Sequence, residues 1–116
     1  MAKLPNYQQA QVPQPKITSY LLAINHSDGR GKALFFTAHG FSLDNWQVLA
    51  AALCRHAADQ DLAAEEASPF GMRYIIEGII STPDGRNPHI RSIWFIETGE
   101  ETPRFVTAYP LPRKEP

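Results

Sequence analysis

Cysteine is nearly absent from this 116-residue chain: Cys54 stands alone, so no intramolecular disulfide can form. A lone thiol suits a reducing compartment, and the expected location is cytoplasmic. No apolar run approaches the roughly 20 residues of a membrane-spanning helix, so no membrane partner is expected. The opening MAKLPNYQQAQ lacks the apolar core of a secretory signal. Excess charge is missing as well. Eleven Lys and Arg against twelve Asp and Glu leave a formal net charge of −1, with no global pull toward nucleic acid or anionic lipid. Any phosphate-binding surface must therefore be local. No HxxxH or CxxC spacing occurs, so neither a metal nor another cofactor is expected.

What is present is an ordinary globular composition, 43% hydrophobic and 20% charged. A chain of this length makes one domain, burying about two-thirds of its unfolded surface. Prolines mark both ends, at Pro5, Pro13 and Pro15 and again at Pro110, Pro112 and Pro116. They suggest an extended or mobile N-terminal arm (1–14) and C-terminal tail (111–116) around a core spanning about 15–110.

Helices are expected first. Pro15 can open one, followed by the apolar stripe Ile17, Tyr20, Leu21 and Ile24. SDGRG interrupts it, and Lys32–His39 reads as a second helix capped by Gly40, with its Phe35-Phe36 pair leaving a strand open. Ser42 as N-cap and Phe41 with Trp46 as a hydrophobic staple introduce a third helix, whose stripe runs through Leu49, Leu53 and Ala57. LAAEEASPFG (62–71) reads as a helical remnant or a loop closing at Ser68-Pro69. Three β-branched and aromatic segments follow, at 72–81, 89–98 and 104–110, separated by TPDGRNP and GEETP turns. Helices before an antiparallel meander give an α+β fold: N-terminal helices packed on one face of a three- or four-stranded antiparallel sheet. The other sheet face is partly covered or forms a cleft.

The polar turn NHSDGRGK (25–32) holds the first candidate chemistry. A lysine near a helix start, preceded by Gly-Arg-Gly, can present N–H groups and a cation to an anion, with His26 and Arg30 nearby. It can equally be a solvated turn, and it is no Walker loop. His39 suits the negative end of a helix dipole. His56 reads as a surface or rim residue, Cys54 as a small buried hydrophobe, and Glu65 and Glu66 as solvated carboxylates. His89 begins a strand after Pro88 and either faces a cleft or sits on the surface. Arg91, inside an apolar strand, needs an exposed edge, a partner or a ligand. Thr107 and Tyr109 place two hydroxyls on one strand face. Such groups position a phosphodiester, or they form cross-strand hydrogen bonds.

Taken in order, YLLAINHSDGRGKALFF, the tryptophan-bearing helix, RYIIEGIISTPDGR, IRSIWFIE and PRFVTAYP resemble an uncharacterised bacterial domain family. Its members occur alone and as C-terminal modules of large secreted, adhesin-labelled proteins. The layout in turn resembles ribonuclease toxins of the barnase–EndoU–colicin–RelE type. The family pattern falls here on His26, Gly29, Lys32 and Ala33, on Trp94, and on Thr107, Tyr109 and Pro110. The resemblance implies a toxin-like, metal-independent ribonuclease. His26 would be acid or base, Lys32 and Arg91 charge stabilisers, and Thr107 and Tyr109 orienting or relay groups. Arg30, His89 and Trp94 would contact substrate, Trp94 by stacking on a base. The implied partners are RNA and an immunity or other protein partner. The alternative is a non-catalytic protein-interaction module, or a partner in a toxin–immunity pair, binding through the sheet around Ile75, Ile79, Ile93 and Phe95.

Overall fold

A computed structural model describes residues 2–23 and 30–112. The order is helical segments, then strands, as the periodicities predict. A short turn of α-helix (α1, Gln14–Lys16) runs into a π-helical turn at Ile17–Leu21. The wider turn is closed by Leu22 N–H donating to the Ile17 carbonyl at 2.8 Å, and it buries Ile17 and Leu21 together. Helix α2 (Arg30–Ala38) buries Ala33 and Phe36, one turn apart.

Gly40 ends α2 for a stereochemical reason. Its φ of 102° lies in the left-handed half of the map, where a side chain is strained. The Phe41 N–H then reaches the Phe36 carbonyl (3.2 Å) and the Gly40 N–H reaches Thr37 (3.1 Å), the paired bonds of a Schellman ending. Phe36 and Phe41 meet edge to face across it, with centroids 6.0 Å apart.

Helix α3 (Trp46–Asp59) begins one turn later than Ser42 suggests. Ser42 instead caps the preceding turn, its hydroxyl accepting from Asn45 N–H at 3.3 Å. The buried stripe of α3 is Leu49, Ala52, Leu53, His56 and Ala57.

Four strands follow in the order β1-β2-β3-β4, each antiparallel to the next: β1 (Leu62–Ser68), β2 (Gly71–Ile79), β3 (His89–Glu97) and β4 (Arg104–Pro110). β1 corrects the expectation of a helical remnant or loop at 62–71. Ala and Glu favour helix locally, but Ala64–Ser68 find an unbroken ladder of partners on β2, Ile75 to Gly71. The turn does fall at Ser68-Pro69 as expected, with the Ser68 hydroxyl accepting from Phe70 N–H. The helices cover the face carrying Tyr74, Ile76, Ile90, Trp94, Phe105 and Ala108, all in the core.

The N-terminal arm is docked against the domain. Leu4 is buried in the core, and Gln11 pairs with the start of β4 through Gln11 N–H to Pro103 and Phe105 N–H to Gln11, both 2.9 Å. At the other end Leu62 N–H donates to the Ala2 carbonyl. Among the described residues, no helix is long and apolar enough to cross a membrane.

Candidate functional site

Alternation along β3 and β4 sends Arg91, Thr107 and Tyr109 to the sheet face opposite the main helical layer. Pairing then aligns them across strands: Glu77 lies opposite Arg91, and Arg91 opposite Tyr109. The Arg91 guanidinium donates from Nε to Glu77 Oε2 at 2.7 Å and from Nη1 to the Tyr109 hydroxyl at 3.0 Å. A second nitrogen reaches the same Glu77 carboxylate, and the guanidinium carbon lies 5.6 Å from the Tyr109 ring centroid. The Tyr109 hydroxyl and then the Glu77 carboxylate hold the Arg91 pKa above its ordinary value. The cation required a partner, and Glu77 supplies it from the neighbouring strand.

Thr107 belongs to a second group. Its Oγ1 lies 3.0 Å from the Tyr20 hydroxyl, brought in by the π-helical turn. Lys32 on α2 sits with Nζ 5.4 Å from the Tyr20 ring centroid, and Lys16 on α1 at 5.8 Å. Two ammonium groups and two hydroxyls thus gather at one aromatic ring, where attraction to the π face orients the cations. Lys32, Tyr20 and Thr107 form one cluster, and Tyr109 follows Thr107 on the same strand face.

Beside these groups a cleft of about 860 Å³ opens at the end of the sheet, lined by Phe35, His39, Glu77, Arg86, His89 and Pro110 among others. His89 enters it as the first residue of β3, which accords with the cleft-facing alternative. His39 bonds the Phe35 carbonyl through Nδ1 at 2.9 Å, the carbonyl contact expected at a helix end, yet it also lines the cleft. Arg30 is exposed at the first position of α2. His26 lies outside the described residues.

Trp94 is a correction. It is wholly enclosed, edge to face with Phe105 at 5.4 Å, and its Nε1 donates to Ser92 Oγ at 3.0 Å. An indole with no exposed face cannot stack on a nucleobase from outside. His56 is the other correction, buried rather than at the rim. Its Nδ1 meets Ser92 Oγ at 2.9 Å and its Nε2 meets the Gly78 carbonyl at 3.1 Å. A carbonyl only accepts, so Nε2 carries the proton and Nδ1 accepts from the serine hydroxyl. Burial lowers the His56 pKa, against smaller opposing contributions from Gly78 and Asp59. A Ser–His pair at this distance has the outline of an activated nucleophile. Here Ser92 is sealed from solvent and already accepts from Trp94, so the pair is structural. The sequence signal was available: His56 stands three residues after Leu53 and seven after Leu49, on the apolar stripe of α3. Cys54 is half-buried, and burial raises its thiol pKa. Among the described residues, no three His, Cys, Asp or Glu side chains gather closely enough to hold a metal ion.

The chain belongs to the family described as "Domain of unknown function (DUF6883)", whose model matches residues 3–112. No curated protein matches it. A solved chain from the "Contact-dependent growth inhibition toxin - immunity protein complex from Klebsiella pneumoniae 342" is similar, with a TM-score of 0.70 and 18% sequence identity, over 86% of this chain and 98% of that chain. At that identity the likeness is one of fold.

Proposed function

We propose that this protein is a toxin-like, metal-independent ribonuclease. One observation carries the reading: Lys32, from the sequence before the α2 apolar run, and Thr107, from the last strand, both meet Tyr20. A phosphodiester lying along β4 would find Lys32 and Lys16 at one end and the Arg91–Tyr109 pair at the other. Such cations hold the RNA backbone and offset the charge that develops at phosphorus, which cleavage without a metal requires together with an acid and a base. Thr107 and Tyr109 would orient the ribose and phosphate oxygens. The similar chain comes from a toxin–immunity complex, which favours the toxin setting and an immunity protein as the natural partner.

The test is cleavage of tRNA and ribosomal RNA in the presence of chelator, by wild type and by Lys32→Ala checked for equal stability. The expected result is products ending in 2′,3′-cyclic phosphate, with Lys32→Ala slower by about 100-fold or more. A folded wild-type protein that cleaves none of these RNAs overturns the reading.

A second reading has its own observation. The sheet face away from the main helical layer exposes Ile79, although Ile93 on that face is buried; the β1–β2 turn carries Phe70 with 74% of its surface exposed, and every residue of β1 after Leu62 is exposed. A non-catalytic interaction module would use that surface to bind the other member of a toxin–immunity pair.

A further inference from the structure

The cleft at the end of the sheet brings together two histidines that sequence separates by fifty residues, His39 and His89. Their approach is built in by three contacts between the end of α2 and the TPDGRNP turn. Arg86 donates to the Ala38 carbonyl at 2.6 Å, the Asp84 N–H donates to the carbonyl of His39 itself at 3.3 Å, and Gly40 lies so close to Pro83 that a Cβ would stand 2.9 Å from it. The same Arg86 is braced by Asp84, whose pKa is held well below the carboxylate range, chiefly by the Thr82 hydroxyl and then by Arg86. His89 is clamped in turn, since Leu111 N–H donates to its carbonyl and Ile80 N–H to that of Pro88.

The tautomer of His39 follows from its partner. Because the Phe35 carbonyl can only accept, Nδ1 carries the proton, and Nε2 of the neutral ring is left as a base. His89 is exposed and lines the same cleft, two residues before Arg91 on the same strand face. Along α2, Lys32, Phe35 and His39 fall at i, i+3 and i+7, so one stripe of the helix runs from the Tyr20 cluster to the cleft. That stripe is about 10 Å long at the helical rise. The charged groups facing the histidines are Glu77 and Arg86 from the cleft wall, with Asp84 behind Arg86 and Arg91 behind Glu77.

We propose that His39 and His89 are the acid–base pair for phosphodiester cleavage, with Arg86, which lines the same cleft, as a further contact to the RNA backbone beside the Lys32 and Arg91 cations. This deepens the ribonuclease reading and rests on it. His39 Nε2 takes the proton of the ribose 2′-hydroxyl as that oxygen bonds to phosphorus. The bond from phosphorus to the 5′-oxygen breaks, and protonated His89 delivers its proton to that oxygen. The products are a 2′,3′-cyclic phosphate and a 5′-hydroxyl, and no water, metal or oxidant is consumed. The two imidazoles exchange charge states, and the proton balance is restored through solvent.

The experiment uses the full chain with two variants, His39→Asn, which keeps an N–H able to reach the Phe35 carbonyl, and His89→Gln on an exposed site. Cleavage of a short RNA is followed across pH, and imidazole signals are followed by NMR during titration with adenosine 3′-monophosphate. Each variant is expected to lose roughly 10²- to 10⁴-fold in kcat, with His39→Asn flattening the acidic limb of the profile and His89→Gln the basic limb. The nucleotide is expected to shift both imidazoles in the wild type. Wild-type cleavage with both limbs retained in the variants overturns the pair while leaving the ribonuclease reading standing. Absent cleavage with both imidazoles shifted overturns the ribonuclease reading and keeps the cleft as a nucleotide-phosphate site. Neither cleavage nor shifts overturns both.

Discussion

Strand β3 carries two polar residues side by side, Arg91 and Ser92, and they solve opposite problems. Ser92 points into the helical layer, where water is absent, so every polar atom around it needs a protein partner. His56, Ser92 and Trp94 form a closed chain in which each donor has one acceptor. Among the described residues, no buried side-chain nitrogen or oxygen lacks a hydrogen bond. Arg91 points to the opposite face, is about one-third exposed, and shares its charge with Glu77 and Tyr109. One residue of offset along a strand thus separates a group sealed in the core from a group that keeps contact with solvent. The comparison teaches that polarity alone does not mark function; access to solvent on a face with further polar neighbours does.

The largest expected effect that sharpens this contrast is Ser92→Ala. It strands the Trp94 N–H and the His56 Nδ1 lone pair in the core, and the cost is about 2–4 kcal/mol. That is a large share of a domain's roughly 5–15 kcal/mol, and guanidinium unfolding would read it as a lower midpoint. A loss under about 0.5 kcal/mol would show that the network does not hold the helices to the sheet. Cleavage of RNA by whatever fraction remains folded should be unchanged, because the network does not touch the proposed site.

The pH dependence of stability comes next. The native state keeps His56 neutral by burial, so its pKa lies below the ordinary 6.5, whereas the unfolded chain takes up a proton near that value. Below it the unfolded state binds more protons, so this contribution is fully present above about pH 6.5 and is lost as pH falls toward the native pKa. Urea midpoints taken between pH 7.5 and 5 should decline in wild type, and His56→Gln should remove part of that slope. An unchanged slope in the variant would assign the acid sensitivity elsewhere.

Arg91→Ala should be the mildest for the fold. Its pair with Glu77 is partly exposed and screened, so the expected loss is about 1 kcal/mol or less by the same unfolding assay. Its expected effect on RNA cleavage is much larger than its effect on stability. The reverse ranking would make the Glu77–Arg91–Tyr109 row a structural strut and favour the interaction-module reading.

Much of this architecture was legible from local pattern. The Leu49, Leu53 and Ala57 spacing announced α3, Gly40 announced the end of α2, and the β-branched runs announced β2, β3 and β4. β1 was not legible, because AAEEA prefers helix and becomes a strand only by pairing with β2. The docking of the arm is not legible for a related reason. Its prolines limit regular structure but say nothing about whether Leu4 finds the core or Gln11 finds β4. At the candidate site, Lys32, Arg91, Thr107 and Tyr109 could be named singly from residue type and strand face. Tyr20 as the meeting point of Lys32 and Thr107, and the one cleft that His39 and His89 both line, depend on contacts between segments far apart in the chain.

The division follows the range of the forces involved. Periodicity, capping and turn chemistry act over a few residues, so the sequence by itself determined an α+β chain with helices before an antiparallel sheet, and a pool of polar candidates. Which polar residue is sealed and which is presented depends on what packs against each face, a property of segments distant in sequence. Tertiary structure alone decided that Trp94 is enclosed in the core, that Arg91 is held by Glu77, and that α2 lies beside β4 with its lysine at Tyr20 and the histidine that follows it at the cleft.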